Sequence, residues 1–265
     1  LTDEVVEAAL QTIDLQGVKV VTLPARRFKS EPGGSDTIRN YITDEFLQDM
    51  TYPTVFVQGV VYSALDANLT PTAYAENIVA AAELGSPAIF KVVGEVEYSY
   101  GLEEPYWGSL APVFAGVLAR SNTNCVYQPA LISNIRPEFS ETSLNNLRSA
   151  GYVAFTRSLT KGCVVYSDSA SDPEWDTSRY LVYLALAEAV FPVIDGVIGS
   201  KASDQAGLQQ RLAAVIEEIP SISTYDITVR IPHPSVVEVS ITAQPYGTVQ
   251  SVQFGVVINA NFTGV

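Results

Sequence analysis

The stretch TVFVQGVVYSALDANLTPTAYAENIVAAAELGSPAIFKVV, Thr54–Val93, decides the fold. TVFVQGVVY (Thr54–Tyr62) is rich in β-branched residues and reads as a strand. Leu69-Thr70-Pro71-Thr72 then has the form of a helix start, with proline in the first turn, where its missing N–H costs nothing. Tyr74, Ile78, Val79 and Ala82 carry that helix to Gly85, and AIFKVV (Ala88–Val93) is a strand again. Strand, helix, strand at this spacing is the sequence form of a parallel sheet, because parallel neighbours need a long crossover.

Upstream, Thr2 to Ile13 predicts a helix with Val5, Val6, Ala9, Leu10 and Ile13 on its apolar face. VKVVTL (Val18–Leu23) is a short buried strand, Arg26 to Ser35 a polar Gly-rich loop, and about 36–50 a second helix. Three strands, Val18–Leu23, Thr54–Tyr62 and Ala88–Val93, are therefore expected side by side in a largely parallel sheet with right-handed crossovers. Downstream come a tyrosine-rich hinge (Glu97–Trp107), a helix over SLAPVFAGVLARS, a strand around CVYQPALI and a helix at Ser143–Ser149. The strands YVAFTRSL and GCVVYSDS follow, then a long helix from Thr177 to about Val197. A last helix, Asp204–Ile219, places Leu208, Leu212, Val215, Ile216 and Ile219 on one face.

The tail is β. After Tyr225–Ile231, apolar residues alternate with polar ones at Val237, Val239, Ile241 and Ala243. A Pro-Tyr-Gly break at Pro245–Gly247 precedes a second alternating run through Val252, Phe254, Val256, Ile258, Ala260 and Phe262. The fold class is α/β: a βαβ-type mixed sheet with flanking helices, plus a C-terminal α+β part ending in antiparallel strands. Three parts are expected: a βαβ half at 1–96, a second α/β half at 97–198, and a helix with terminal strands at 199–265.

Hydrophobic residues make up 47% of the 265 and charged residues only 17%, which excludes a disordered chain. So low a charged share fits either a quiet compact α/β domain or a surface covered by other subunits. The net charge of −14 argues against nucleic acid as a partner. No basic amphipathic stretch suggests a membrane surface, and the richest apolar segment, Leu181–Ile198, is interrupted by Glu188, Pro192 and Asp195. Cys125 and Cys163 sit in apolar strand-like runs and are expected to be buried free thiols.

Catalytic signals are few. The single histidine, His233, lies between two prolines in a turn-like IPHPS. No nucleophile elbow, zinc-ligand spacing, P-loop or dinucleotide fingerprint occurs, so no catalytic residue, metal ligand or cofactor is expected. The carboxylate pairs Asp44-Glu45, Glu103-Glu104, Asp172 with Glu174, and Glu217-Glu218 leave open a glycosidase-like enzyme, with Trp107 or Trp175 stacking a sugar. Glu31 to Ser35 offers a weak anion-nest pattern.

The ordered segments resemble the contractile tail sheath proteins of phages and related injection machines. The resemblance rests on the small-residue helix Pro112-Val113-Phe114-Ala115-Gly116-Val117-Leu118-Ala119-Arg120, followed by Val126-Tyr127-Gln128-Pro129-Ala130. It continues through Leu144-Asn145-Asn146-Leu147, Gly151-Tyr152-Val153, Gly162 to Ser167, and the helix opening Arg179-Tyr180-Leu181-Val182. It ends in the terminal strands Val239–Pro245 and Val249–Ile258. The likeness covers the core and C-terminal part from about Leu10, and the family's upstream N-terminal arm has no counterpart in these residues. The resemblance implies a structural, non-enzymatic sheath subunit that polymerises helically around an inner tube and drives its ejection on contraction. A non-contractile baseplate or tail subunit is the related alternative. Implied partners are copies of the chain itself, the inner tail tube protein, and baseplate and tail terminator proteins. The implied location is the virion tail, with assembly in the host cytoplasm.

In such sheaths terminal arms add strands to a neighbour's sheet, so Val252, Phe254, Val256, Ile258 and Phe262 become candidates for an inter-subunit strand. Pairing with Val237–Ala243 as an ordinary hairpin is the other reading, and both can hold together. Arg26, Arg27, Lys29 and Arg211 are candidate charged contacts that would offset the repulsion between acidic subunits.

Overall fold

The structure, a computed structural model, describes residues 3–12, 18–27, 54–61, 69–80, 82, 85–99, 101, 104–121, 125–130, 132, 134–197, 205–233, 236–245 and 252–259. The chain forms two compact units, Leu1–Thr177 and Ser178–Val265. The helix expected at 36–50 and the nest pattern at Glu31–Ser35 lie outside the described residues.

The first unit is built on a five-stranded sheet of β1 (Val20–Arg27), β2 (Val55–Val61), β3 (Ile89–Val93), β7 (Tyr152–Ser158) and β8 (Gly162–Asp168), in that order. β1, β2, β3 and β7 run parallel, and β8 returns antiparallel to β7. The three strands read at Val18–Leu23, Thr54–Tyr62 and Ala88–Val93 are thus neighbours in one sheet. This sheet takes strands from both 1–96 and 97–198. Helix α1 (Asp3–Thr12) precedes it.

Strand alternation sorts the core. On one face Val60, Val93, Tyr152 and Ala154 pack against Tyr74, Ala75 and Ile78 of α2 (Pro71–Ala80) and Leu144 and Leu147 of α4 (Glu141–Ser149). On the other, Phe90 and Phe155 flank Phe114 of α3 (Ala111–Arg120), with ring centroids 5.8 Å and 6.5 Å apart. Each fully buried side chain of this size contributes about 1.5–3 kcal/mol, and β2 and β3, covered on both faces, are apolar apart from the buried Gln58 and Lys91. Ser140 caps α4, its Oγ accepting from the N–H of Ser143 at 3.2 Å. Gly151 turns α4 into β7 at φ 79°, and a Cβ there would lie 2.7 Å from the Ala170 carbonyl oxygen.

Two segments differ from their sequence reading. The tyrosine-rich stretch expected to be a hinge enters a sheet at both ends: β4 (Glu95–Tyr98) pairs antiparallel with β5 (Tyr106–Ser109) and with β6 (Ile135–Arg136). Tyr98 and Tyr106 are cross-strand partners there, with rings stacked at 5.5 Å. The described residues of the segment around CVYQPALI form no strand, only an isolated bridge between Pro129 and Val164. Tyr127 has φ 59° and Pro129 has no N–H to give, so no regular ladder can form. The segment still lies along the outer edge of β8, with Tyr127 N–H donating to Val165 O at 2.8 Å and Ala130 N–H to Cys163 O at 2.9 Å.

The second unit combines α5 (Thr177–Asp195, whose first residue closes the first unit) and α6 (Gln205–Glu217) with a three-stranded antiparallel sheet. Its strands are β9 (Ile222–His233), β10 (Val236–Pro245) and β11 (Val252–Asn259), with β10 central. Contrary to the sequence reading, α5 is long and apolar enough by length and composition to cross a membrane. Its Val182, Leu186, Ala187, Val190 and Ile194 lie in a core shared with Leu208, Leu212 and Ile216 of α6. His233, read as a turn residue, is the last residue of β9 and pairs with Val236.

Candidate functional site

The residues singled out in the tail lie on the C-terminal sheet. Alternation along β10 turns Val237, Val239, Ile241 and Ala243 into the core with Leu208, Leu212 and Ile216, and all four are buried. β11 pairs with β10 in unbroken antiparallel register: Val252 opposite Ala243, Phe254 opposite Ile241, Val256 opposite Val239 and Ile258 opposite Val237. Four of the five proposed strand residues therefore stand at register positions facing the core row. β11 is a strand of the chain's own sheet, and it forms one end of the strand order. Phe262 lies outside the described residues.

The opposite edge is different. From α6, Gln205 Nε2 donates to the carbonyl of Val229 and Gln209 Nε2 to that of Ile227 at 3.0 Å. One helical turn separates the two glutamines, a rise of about 6 Å. Two strand residues separate the two carbonyls, about 6.8 Å. The two spacings match. In the sequence the two glutamines carry no signal beyond their separation of four on the face beside Leu208 and Leu212.

The basic candidates are dispersed. Arg26 and Arg27 stand opposite Val60 and Val61 at the end of β1, not in the expected loop. β1 continues through Pro24 because it is an edge strand with a register shift between Leu23 and Arg26, where a missing N–H is tolerated. Arg211 is exposed on α6, its Nε donating to Gly207 O at 3.4 Å. Lys29 lies outside the described residues.

Buried polar groups in the first unit serve its packing. The Cys125 N–H reaches Asp168 Oδ2 at 3.2 Å and Thr177 Oγ1 at 3.1 Å, and the Thr177 hydroxyl donates to the same carboxylate. Burial pushes the Asp168 carboxyl above its ordinary range. Both cysteines are free and buried, and burial pushes each thiol up to about 11. Of the carboxylates weighed as catalytic pairs, Asp172 accepts the N–H of Glu174 at 3.1 Å in a turn, and Glu217 accepts the Tyr225 hydroxyl at 2.7 Å. Among the described residues no group of three His, Cys, Asp or Glu could hold a metal ion.

No protein-family model and no curated protein matches the chain. Solved structures do. The sheath tail protein of Desulfitobacterium hafniense superposes with a TM-score of 0.64 over 98% of this chain, at 16% identity. The fold is that of the sheath tail proteins. A sheath tail protein from Listeria innocua is similar over 99% of the chain, with a TM-score of 0.64 and 10% identity. The sheath of an extracellular contractile injection system, in its contracted state, gives a TM-score of 0.59 over 98% of the chain at 12% identity, the match covering 71% of that protein. The chain spans 60% and 61% of the lengths of the Desulfitobacterium and Listeria sheath proteins. The sheath fold thus takes in both units, including the C-terminal sheet.

Proposed function

We propose that this chain is a structural subunit of a contractile tail sheath, which assembles helically from copies of itself around an inner tube. The observation that carries this reading is the likeness to sheath proteins along nearly the whole chain, at TM-scores up to 0.64. Its role is mechanical and not catalytic. Baseplate, tail terminator and tube proteins are its further partners, and the tail is its location, reached after assembly in the host cytoplasm.

The link between copies is strand addition at β11, which lies at an end of the C-terminal sheet. Backbone hydrogen bonds supply strength there without requiring a particular side-chain contact, so the joint tolerates movement of the subunits it connects. The same strand is both the outer strand of its own sheet and the ladder for a neighbour. Arg26, Arg27, Lys29 and Arg211 act in the same assembly as charged contacts offsetting the −14 of each subunit. Negative-stain electron microscopy of the purified protein, with sedimentation, tests the reading. Rings or tubes are expected, and uniform monomers at every concentration would overturn it.

A further inference from the structure

The two edges of the C-terminal sheet differ in the state of their peptide groups. In a strand, successive residues turn their N–H and C=O to opposite sides. Ile227 and Val229 accept amides from Gln209 and Gln205, so their peptide groups face away from β10. Their partners on β10, Ile241 and Val239, therefore turn toward β11, where they meet Phe254 and Val256. It follows by alternation that Gln253, Gly255 and Val257 direct their peptide groups out of the free edge of β11. Among the described residues no strand pairs with that edge.

We propose that Gln205 and Gln209 are edge-closing residues that make strand addition to this sheet one-sided, excluding an incoming strand of a second copy at β9 and leaving β11 to receive it. The inference rests on the sheath-subunit reading. Two acceptors on β9 that a neighbour's N–H groups would need are already occupied by side chains fixed on a packed helix. An incoming strand would have to displace both amides together. At twelve residues β9 is the longest strand of the sheet, and bare it would be the strongest competitor for the wrong register. A helical assembly needs one fixed relation between copies, and closing one edge removes the alternative.

The test uses the full chain with Arg230, exposed on β9, replaced by cysteine as a reporter; both native thiols are buried. Under mild oxidation this protein is expected to stay without a 230–230 disulfide dimer. Adding Gln205→Ala and Gln209→Ala is expected to produce that dimer and to shift sedimentation to larger species. Lysines at the same two positions supply donors again and are expected to suppress the dimer. Equal cross-linking in all three proteins, with circular dichroism unchanged, would overturn the proposal. If the double alanine variant does not fold, Gln209→Ala alone is read in the same way. Failure of the sheath reading would show separately, as loss of ring or tube formation in the wild type, while the contrast at residue 230 would persist.

Discussion

Arg136 Nε lies 2.7 Å from Glu95 Oε2, directly across the pair of strands that joins β6 to β4. The guanidinium also sits 4.3 Å from the centre of the Trp107 ring. The two side chains are unequally covered, with 9% of Glu95 and 39% of Arg136 exposed. Removing the arginine strands a largely buried carboxylate, whereas removing the pair does not. Arg136→Ala is expected to cost about 2–3 kcal/mol, below the range for fully buried pairs because the guanidinium is partly solvated. Glu95→Gln combined with Arg136→Met should recover most of that loss. Urea unfolding of the three proteins checks both values, and an additive double variant would contradict the pairing.

Asp168 makes stability depend on pH. Burial, and then the neighbouring Asp176 charge, raise its carboxyl, while the Thr177 hydroxyl and Cys125 N–H oppose the rise. The native state therefore holds its proton more tightly than the unfolded chain does. That contribution is complete below the unfolded value of about 4 and is lost as pH rises through the higher folded value. Asp168→Asn keeps an acceptor for Thr177 and removes the titration. Its stability relative to the wild type is expected to improve from about pH 4 to about pH 7, as read by thermal melts. A constant difference would show that the carboxyl is not perturbed.

Cys125 and Cys163 should resist thiol reagents in the folded protein. A thiol raised from 9 to about 11 carries roughly a hundredfold less thiolate at neutral pH, and burial restricts access as well. Titration with a chromogenic disulfide is expected to find both thiols only after denaturation. Fast reaction of either one in the native state would count against the packing described around β8.

Proline substitutions on β11 separate its two edges. Val256 turns its peptide group to β10, so Val256→Pro breaks the subunit's own ladder and is expected to destabilise the C-terminal sheet. Gly255 turns outward, and Gly255→Pro is expected to leave a native-like circular dichroism spectrum while preventing sheath formation. Electron microscopy of the two variants decides this. Tubes formed normally by the Gly255 variant would sink strand addition at this edge.

The parallel core was legible because Thr54–Val93 announces each element through residue type: β-branched runs, a proline-led helix start, and glycine after it. The pairing of Val237–Ala243 with Val252–Ile258 was legible from period two and the intervening PYG. Misreadings arose where tertiary contacts overrule local pattern. Tyr98 and Tyr106 look like a polar hinge until each is seen to cover the other across a two-strand ladder. Val126-Tyr127-Gln128 has strand-forming composition, yet Tyr127 adopts a left-handed conformation that composition does not reveal. Gln205 and Gln209 were invisible because an exposed glutamine on a helix ordinarily meets only water.

The strand order of the larger sheet also sets a timetable for folding. Among the described residues β9, β10 and β11 pair with sequence neighbours, and so do β1 with β2 and β2 with β3. The contact that joins the two parts of the first sheet is β3 against β7, Lys91 with Tyr152 and Val92 with Val153. Those partners lie far apart along the chain, and closing so long a loop is slow compared with forming hairpins. The two-residue seam between β3 and β7 joins the most sequence-distant strands of this sheet, and it is expected to be the last of its pairings to close.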